Sequence, residues 1–343
     1  MLKNDIDNFY KNTQFTGSTE QAIGNNLYGL NHSGVRNIIP ESRDSRGLVF
    51  FTRPQLNLTT GNLANSPSLY DYLTTNLSSA HAYVRGMLDP RLEAKVPFLD
   101  NNLAFIPFFT NDLKRMSGWP DVVMSTFTSK EGIRRQQWSI ADGYPEIYEA
   151  FDLDCTFKNT KEDPITVTLD LWLSYMGKVF EGELSPYMDM IVENEIDYNT
   201  RIYRLVLDEH NMFVKKIAAT GASFPINQPS GKYFDYSSDS KYQEDNSEVS
   251  VRFKCIGAMY NKAILMKEFN ETQAIFNPEY RKMMNGGSSN LEKIPHKLLG
   301  LLNFRGYPYI NTTTLELEWY INKNSADYKR LIKYYEKEQQ TWL

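Results

Sequence analysis

Three carboxylates are the side chains best suited by type to chemistry: Asp152 and Asp154, two positions apart, and Asp170 further along. In an extended chain alternate side chains share a face. Asp152 and Asp154 would then point the same way and could hold a cation or divide acid and base roles. Glycoside hydrolysis needs only two such groups, drawn from anywhere in a chain. The competing reading is a strand's wet face, because Phe151, Leu153, Cys155 and Phe157 alternate with Asp152, Asp154, Thr156 and Lys158. The four histidines, His32, His81, His210 and His296, are scattered, and His210 falls in a turn where a solvated imidazole is expected. The chain has no Walker loop, no His-Glu-x-x-His and no Gly-x-Ser-x-Gly. Gly286-Gly287 lacks the preceding strand and following lysine of a phosphate loop. The expectation is a protein that is not an enzyme, with no catalytic residue, cofactor or metal.

Composition narrows the partners. The chain has 343 residues, 41% of them hydrophobic, enough for a sizeable core and for two domains or one elaborated domain. Its 37 basic and 42 acidic residues give a net charge of −5, which argues against a protein that grips nucleic acid through its phosphates. It is compatible with a surface that nucleic acid slides past. The strip Arg134-Arg135-Gln136-Gln137-Trp138 is the most basic local patch, and an exposed strand edge or subunit contact suits it better than a nucleic-acid site. The 22 Tyr and 19 Phe fit sheets and interfaces, where a ring packs and a hydroxyl stays wet. Cys155 and Cys255 lie in strand-like runs as buried thiols, too few for a disulfide framework or a Cys-based zinc site. The start lacks the apolar core of a signal peptide, and no apolar run approaches the ~18 residues of a membrane span, so no membrane insertion or secretion is expected.

The elements follow from periodicity. Residues 1–45 are polar and Asn-rich and read as a flexible arm. Residues 46–145 form a mixed region. It has a strand at Gly47–Arg53 ended by Pro54, helices starting at Ser66-Pro67 and Ser79, and a short irregular helix near Asn111–Met116. Residues 146–265 form a central β domain with strands at 151–157, 165–173 and 249–255. The run Ile165, Val167, Leu169, Leu171, Leu173 alternates with Thr166, Thr168, Asp170 and Ser174, a strict period of two. Ser185-Pro186 starts a helix with Tyr187, Met190 and Ile191 on one face, and Gly231 to Glu248 is an acidic, solvated loop. Residues 266–343 add helices, a strand with Leu315, Leu317, Trp319 and Ile321 inward and Glu316 and Glu318 outward, and a last helix capped by Ser325. The class is α+β: a β-sandwich or barrel-like, mainly antiparallel sheet with a long hairpin and peripheral helices.

The hairpin, Arg201 to Ala219, differs in kind. Tyr203, Leu205 and Leu207 alternate with Ile202, Arg204 and Val206; the chain then turns and returns through Met212, Phe213, Val214 and Ile217. Projecting alone, it would expose two unpaired edges. Pairing with copies in neighbouring subunits around a ring would remove that liability. The alternative is a hairpin covered by its own domain. Arg201, Tyr203, Arg204, Leu205, Val206, Leu207, Met212, Phe213, Val214 and Ile217 are therefore the candidate interface residues.

Four runs carry a family resemblance: Arg46–Leu58, Tyr198–Asp208, Ile217–Ile226 and Val251–Ala258. They resemble virion structural proteins of large tailed bacteriophages. Within that group the sheet, short helix and long hairpin are similar to tail-tube and baseplate-hub subunits. The resemblance implies a virion protein that forms a homo-oligomeric, hexameric ring through paired hairpins lining a channel. DNA would be a passing cargo and other virion proteins the docking partners. The chain's extra length would suit a tube initiator, tail completion protein or neck component. A capsid-associated role and a particle-borne glycan hydrolase using Asp152, Asp154 and Asp170 are the alternatives.

Overall fold

The computed structural model describes residues 46–341, apart from 93–95, 98, 145–146, 209, 235–237, 240–246 and 301. The expected arm, 1–45, lies outside the described residues. The centre is a curled, half-barrel sheet of six strands in the order β1-β6-β7-β8-β5-β2. These are β1 (Arg46–Phe51), β2 (Leu113–Ser117), β5 (Ile147–Lys158), β6 (Ile202–Leu207), β7 (Val214–Pro225) and β8 (Glu248–Tyr260). Every neighbouring pair is antiparallel. The long pair β5 and β8 sets the register, with Leu153 opposite Phe253, Cys155 opposite Val251 and Phe157 opposite Val249. These six side chains are buried, as the alternation at 151–157 and 249–255 predicts.

Helices cover one face of the sheet. The segment read as a strand over 165–173 is helix α3 (Pro164–Glu181), following α1 (Ala80–Leu88) and α2 (Pro107–Asn111). The correction has a clear physical cause. Pro164 occupies the first turn, where its missing N–H costs nothing. The fully buried positions include Ile165, Thr168, Leu169 and Trp172, spaced three and four apart as one helical stripe requires. The alternating Ile, Val and Leu fit that stripe as well as they fit a pleat. The run also continues for 18 residues before Gly182, at φ +79°, closes the helix with its N–H on the Lys178 and Val179 carbonyls. Trp172 is fully buried, and its indole N–H donates to Tyr198 O at 3.0 Å. It packs beside Phe109, which stacks in turn among Phe51, Phe157 and Phe253.

The opposite face carries a second core. Phe50, Tyr203, Leu205, Leu207 and Ile217 meet Leu265 and Phe269, and beyond them a small antiparallel sheet. Leu265 and Phe269 belong to α5 (Ile264–Phe276), which precedes α6 (Pro278–Met284). The small sheet consists of β9 (Leu291–Lys293), β10 (Tyr307–Ile310) and β11 (Leu317–Asn322), and α7 (Ala326–Thr341) follows it. Two expectations fail locally. Residues 113–117 are the outer strand β2, not an irregular helix, and the helix lies just before it at Pro107–Asn111. Glu318 lies on the face of β11 opposite Leu317 and Trp319, as expected, but that face is covered and the side chain is buried, held by Lys293 at 2.9 Å, the Tyr320 hydroxyl at 2.8 Å and Asn311 at 3.1 Å. A buried carboxylate persists only with such partners. Here they hold it below the usual carboxylate range against the opposing pull of burial.

Two glycines should respond oppositely to alanine. Gly118 sits at φ +108°, and a Cβ there would stand 2.2 Å from the Asp152 carbonyl oxygen. Gly177 is exposed in α3 with nothing near a new Cβ. Gly118→Ala is expected to lower stability by about 1–3 kcal/mol or more, and Gly177→Ala to raise it by about 0.5–1 kcal/mol. Thermal unfolding of the two variants beside the parent checks both signs.

Candidate assembly surfaces

The hairpin is real, and its position corrects the premise of unpaired edges. β6 lies between β1 and β7, and β7 lies between β6 and β8. Leu48 pairs with Leu205 and Phe50 with Tyr203 on one side; Leu205 pairs with Ile217 on the other. Tyr203, Leu205, Leu207, Val214 and Ile217 are buried in their own subunit. Even the turn is occupied: Phe213 bridges Glu316, and Met212 O accepts from Leu317 N at 2.8 Å. The two apolar faces have a simple origin, since each side of β6 meets its own core. The outermost strands of the sheet are instead β1 and β2, and the end of β1 is already bridged on its outer side, where Ile106 N donates to Phe51 O at 2.9 Å and Arg53 N to Ala104 O at 2.8 Å.

The arginines of the hairpin are not equivalent. Arg201 is anchored: it pairs with Glu268 at 2.7 Å, donates to Thr220 O at 2.9 Å and lies over the Tyr203 ring. Arg204 faces a cavity of about 370 Å³ that both outer strands line, β1 through Gly47–Val49 and β2 through Leu113–Met116. Its guanidinium occupies the space where a Cβ on Gly47 would stand, and burial lowers its pKa with no acid opposing that shift. Val206 is only half-buried on the same side of β6. The curl of the sheet thus brings its two outermost strands to the walls of one cleft.

The carboxylates do not converge. Asp152 meets Lys254 and Asp154 meets Arg252, each at 2.8 Å across the β5–β8 pair, while Asp170 accepts from the Tyr72 hydroxyl at 2.9 Å. The first two are the wet face that the alternation predicts. Among the described residues no group of three or more His, Cys, Asp or Glu is placed to hold a metal. Likewise, no helix among them is long and apolar enough to cross a membrane.

Two projections carry apolar surface outward. Between β2 and β5 the chain makes a two-stranded ribbon, β3 (Thr126–Thr128) with β4 (Ser139–Ala141), paired only with each other and exposed along both strands. Phe127, Trp138 and Ile140 are more than half exposed, and Ile133 in its turn is fully so. The basic strip at Arg134–Trp138 is the tip of this ribbon. The second projection is helix α4 (Met188–Glu193). Met190 faces inward, whereas Met188, Ile191 and Val192 face solvent with exposures of 73%, 48% and 72%, so Met190 and Ile191 do not share a face as the sequence suggests.

A buried polar cluster fixes α4 in that attitude. Asp89, at the end of α1, accepts hydrogen bonds from Leu58 N, Arg91 N and the hydroxyl of Tyr187, the residue that opens α4. Burial pushes the Asp89 carboxyl up, and these bonds pull it back. Arg91 lies over the Tyr187 ring and pairs with Asp189 at 2.6 Å. Nearby, Arg53 is buried and donates to the carbonyls of Gly86, Met87, Asn101 and Leu103; burial lowers its pKa to about 10. Arg53 thereby satisfies the carboxyl end of α1, whose last carbonyls lack helical partners.

Comparison with known proteins gives one family. The family described as "Putative phage tail tube protein" matches residues 4–335. No curated protein matches the chain. Among solved structures, the tube-terminating cap of the anti-feeding prophage is similar at 12% identity and a TM-score of 0.28, covering 46% of this chain and 81% of that one. The sheath/tube terminator of the PVC extracellular contractile injection system, in its extended state, matches at 10% identity and a TM-score of 0.26, covering 46% and 86%. The extended sheath-tube complex of the same system matches at 12% and 0.26, covering 46% and 82%.

The interior position of the hairpin changes what a charge there should do. Leu205→Asp places an unpaired carboxylate in a closed core and is expected to cost about 4 kcal/mol or more, unfolding the subunit rather than leaving a folded monomer. Ile133→Asp at the ribbon tip should change subunit stability by no more than about 0.5 kcal/mol. Circular dichroism melts of the two purified variants distinguish these outcomes.

Proposed function

Because the chain belongs to the phage tail tube protein family, matched from residue 4 to residue 335, we propose that it is a non-enzymatic subunit of the tail tube that assembles into a ring. That match is the observation that carries the reading, and the sheet supplies a physical route. A curled sheet whose two outermost strands line one cleft, with β2 and the start of β1 still open, resembles an unfinished barrel. Strand addition at β1 or β2 by a neighbouring copy would complete its backbone pairing. In a closed ring every copy offers one edge and receives another, so no edge is left over. The hairpin then serves as the rigid centre that holds the outer strands apart, and its ten candidate residues contribute to assembly through the body they stabilise.

The net charge of −5 supports a conduit role, since phosphate-lined DNA passes an acidic body without being held. Other virion proteins are the natural docking partners, and the virion is the expected location. The small sheet, α5 to α7 and the ribbon add body around the central sheet, which suits a position at an end or joint of the tube. The hydrolase reading gains nothing from the structure, where Asp152, Asp154 and Asp170 are held apart in separate contacts.

Electron microscopy of the purified chain tests the proposal. Rings or short tubes with a central hole are expected, together with a mass by light scattering of several subunits. A chain that stays monomeric up to the highest soluble concentration overturns self-assembly.

A further inference from the structure

The ribbon and helix α4 are both wrong for a solitary subunit, and in complementary ways. Strands of three residues paired only with each other are marginal in water unless something covers them. At the ribbon tip Ile133 and Trp138 stand in solvent at 104% and 61% exposure, beside Lys130, Arg134 and Arg135, which outnumber the one acid there, Glu131, 3.9 Å from Arg135. On α4 the amphipathic pattern is inverted, with Met188, Ile191 and Val192 turned outward at a helical spacing of three and four. Its surroundings are acidic. Glu193 and Glu195 are exposed, with no ion-pair partner among the described residues. One apolar surface is therefore rimmed mainly by bases and the other by acids.

We propose that the ribbon tip of one copy docks on the α4 face of a second copy. Ile133 and Trp138 would cover Met188, Ile191 and Val192, and Arg134 and Arg135 would meet Glu193 and Glu195. This rests on the self-assembly reading above and says which surfaces it uses besides the strand edges. A second copy is the occupant because both halves of the match are present, uncovered, on the same chain. The two surfaces differ, so the contact is heterologous and runs head to tail, passing from copy to copy around a ring or along a stack. The apolar contact supplies the affinity, and the charges select the partner and the register. The Asp89 cluster has a role in this contact, since by holding Tyr187 it keeps the α4 face turned outward before a partner arrives.

Site-specific cross-linking of the full chain tests this. Cys155 and Cys255 are fully buried and should not compete with an introduced surface thiol. Ile133→Cys and Val192→Cys chains, mixed and mildly oxidised, should give a disulfide-linked dimer that neither variant gives alone. Reversing the tip with Arg134→Glu and Arg135→Glu should raise the concentration needed for assembly about tenfold. Glu193→Lys and Glu195→Lys in the same chain should restore it, with melting temperatures unchanged throughout. If the parent assembles but the mixture cross-links no better than its parts, and charge reversal has no effect, the docking is wrong and the tail reading stands. If the parent neither assembles nor cross-links at any concentration, both fall.

Discussion

The pairing of β1 with β6 is the constraint on which the rest depends. It joins residues 46–51 to residues 202–207, about 150 positions later, and occupies the outer edge of the hairpin. Without it β6 would be a long apolar edge, the kind of surface that recruits other chains indiscriminately. With it, Phe50 and Phe51 are driven into opposite cores: Phe50 against Phe105 and Phe269, Phe51 against Phe109 and Phe253. Immediately after the strand, Arg53 ties the chain to the end of α1, and the Thr52 and Thr200 hydroxyls pin the entry to β6. One short strand therefore separates two cores, closes one edge and leaves in its place a new one that is bridged at its end.

That arrangement decides where assembly can occur. The backbone donors and acceptors of β6 are engaged on both sides within the subunit, so edge-to-edge pairing of β6 with another copy would first have to displace a strand. In the proposed ring, contact would fall to the outer strands β1 and β2, to the cleft they share and to the projections beyond the body. The cleft itself has an unusual feature in Arg204. Its guanidinium is half-buried and shares the cleft with two further basic residues, Arg115 and Lys114, the latter paired with Glu248 at 2.8 Å. In the proposed assembly, a neighbouring strand seated there would meet a positively charged cleft of mixed polar and apolar lining.

Much of this was legible in the sequence where a single physical signal dominated. The strands at 151–157 and 249–255 alternate because one face is buried and the other carries the Asp152–Lys254 and Asp154–Arg252 pairs. The Ser79 cap is read from its type, and its hydroxyl does accept from Ala82 N at 3.2 Å. The hairpin was visible too, but a sequence shows that a strand is apolar on both faces without showing what covers them. Its partner strand β1 lies about 150 residues away, and that separation hid the closure of its edge. At α3 two signals competed, since Ile, Val and Leu at alternate positions satisfy both periods; the length of the run and Pro164 at its head favour the helix. Glu318 and α4 failed for a related reason. Whether the face that carries a charged or apolar side chain in a short element is covered depends on tertiary partners, Lys293 in one case and Asp89 in the other.

The distribution of buried surface suits the proposed order of events, in which the subunit folds first and assembles later. The two cores bury the sheet on both faces and need no partner. The ribbon and the outward face of α4 bury almost nothing, so their ordering adds little to the monomer; under the proposed docking it would be completed by contact with another copy. This separation has a kinetic consequence. A subunit whose adhesive surfaces are small, charged and peripheral stays dispersed at low concentration, because net negative charge repels copies that approach in the wrong orientation. Only the approach that sets the basic tip against the acidic helix reverses the sign of that interaction. In the proposed ring, placing the strongest burial inside the subunit and the weaker, complementary surfaces outside it would let the concentration of folded copies, rather than the act of folding, control when growth begins.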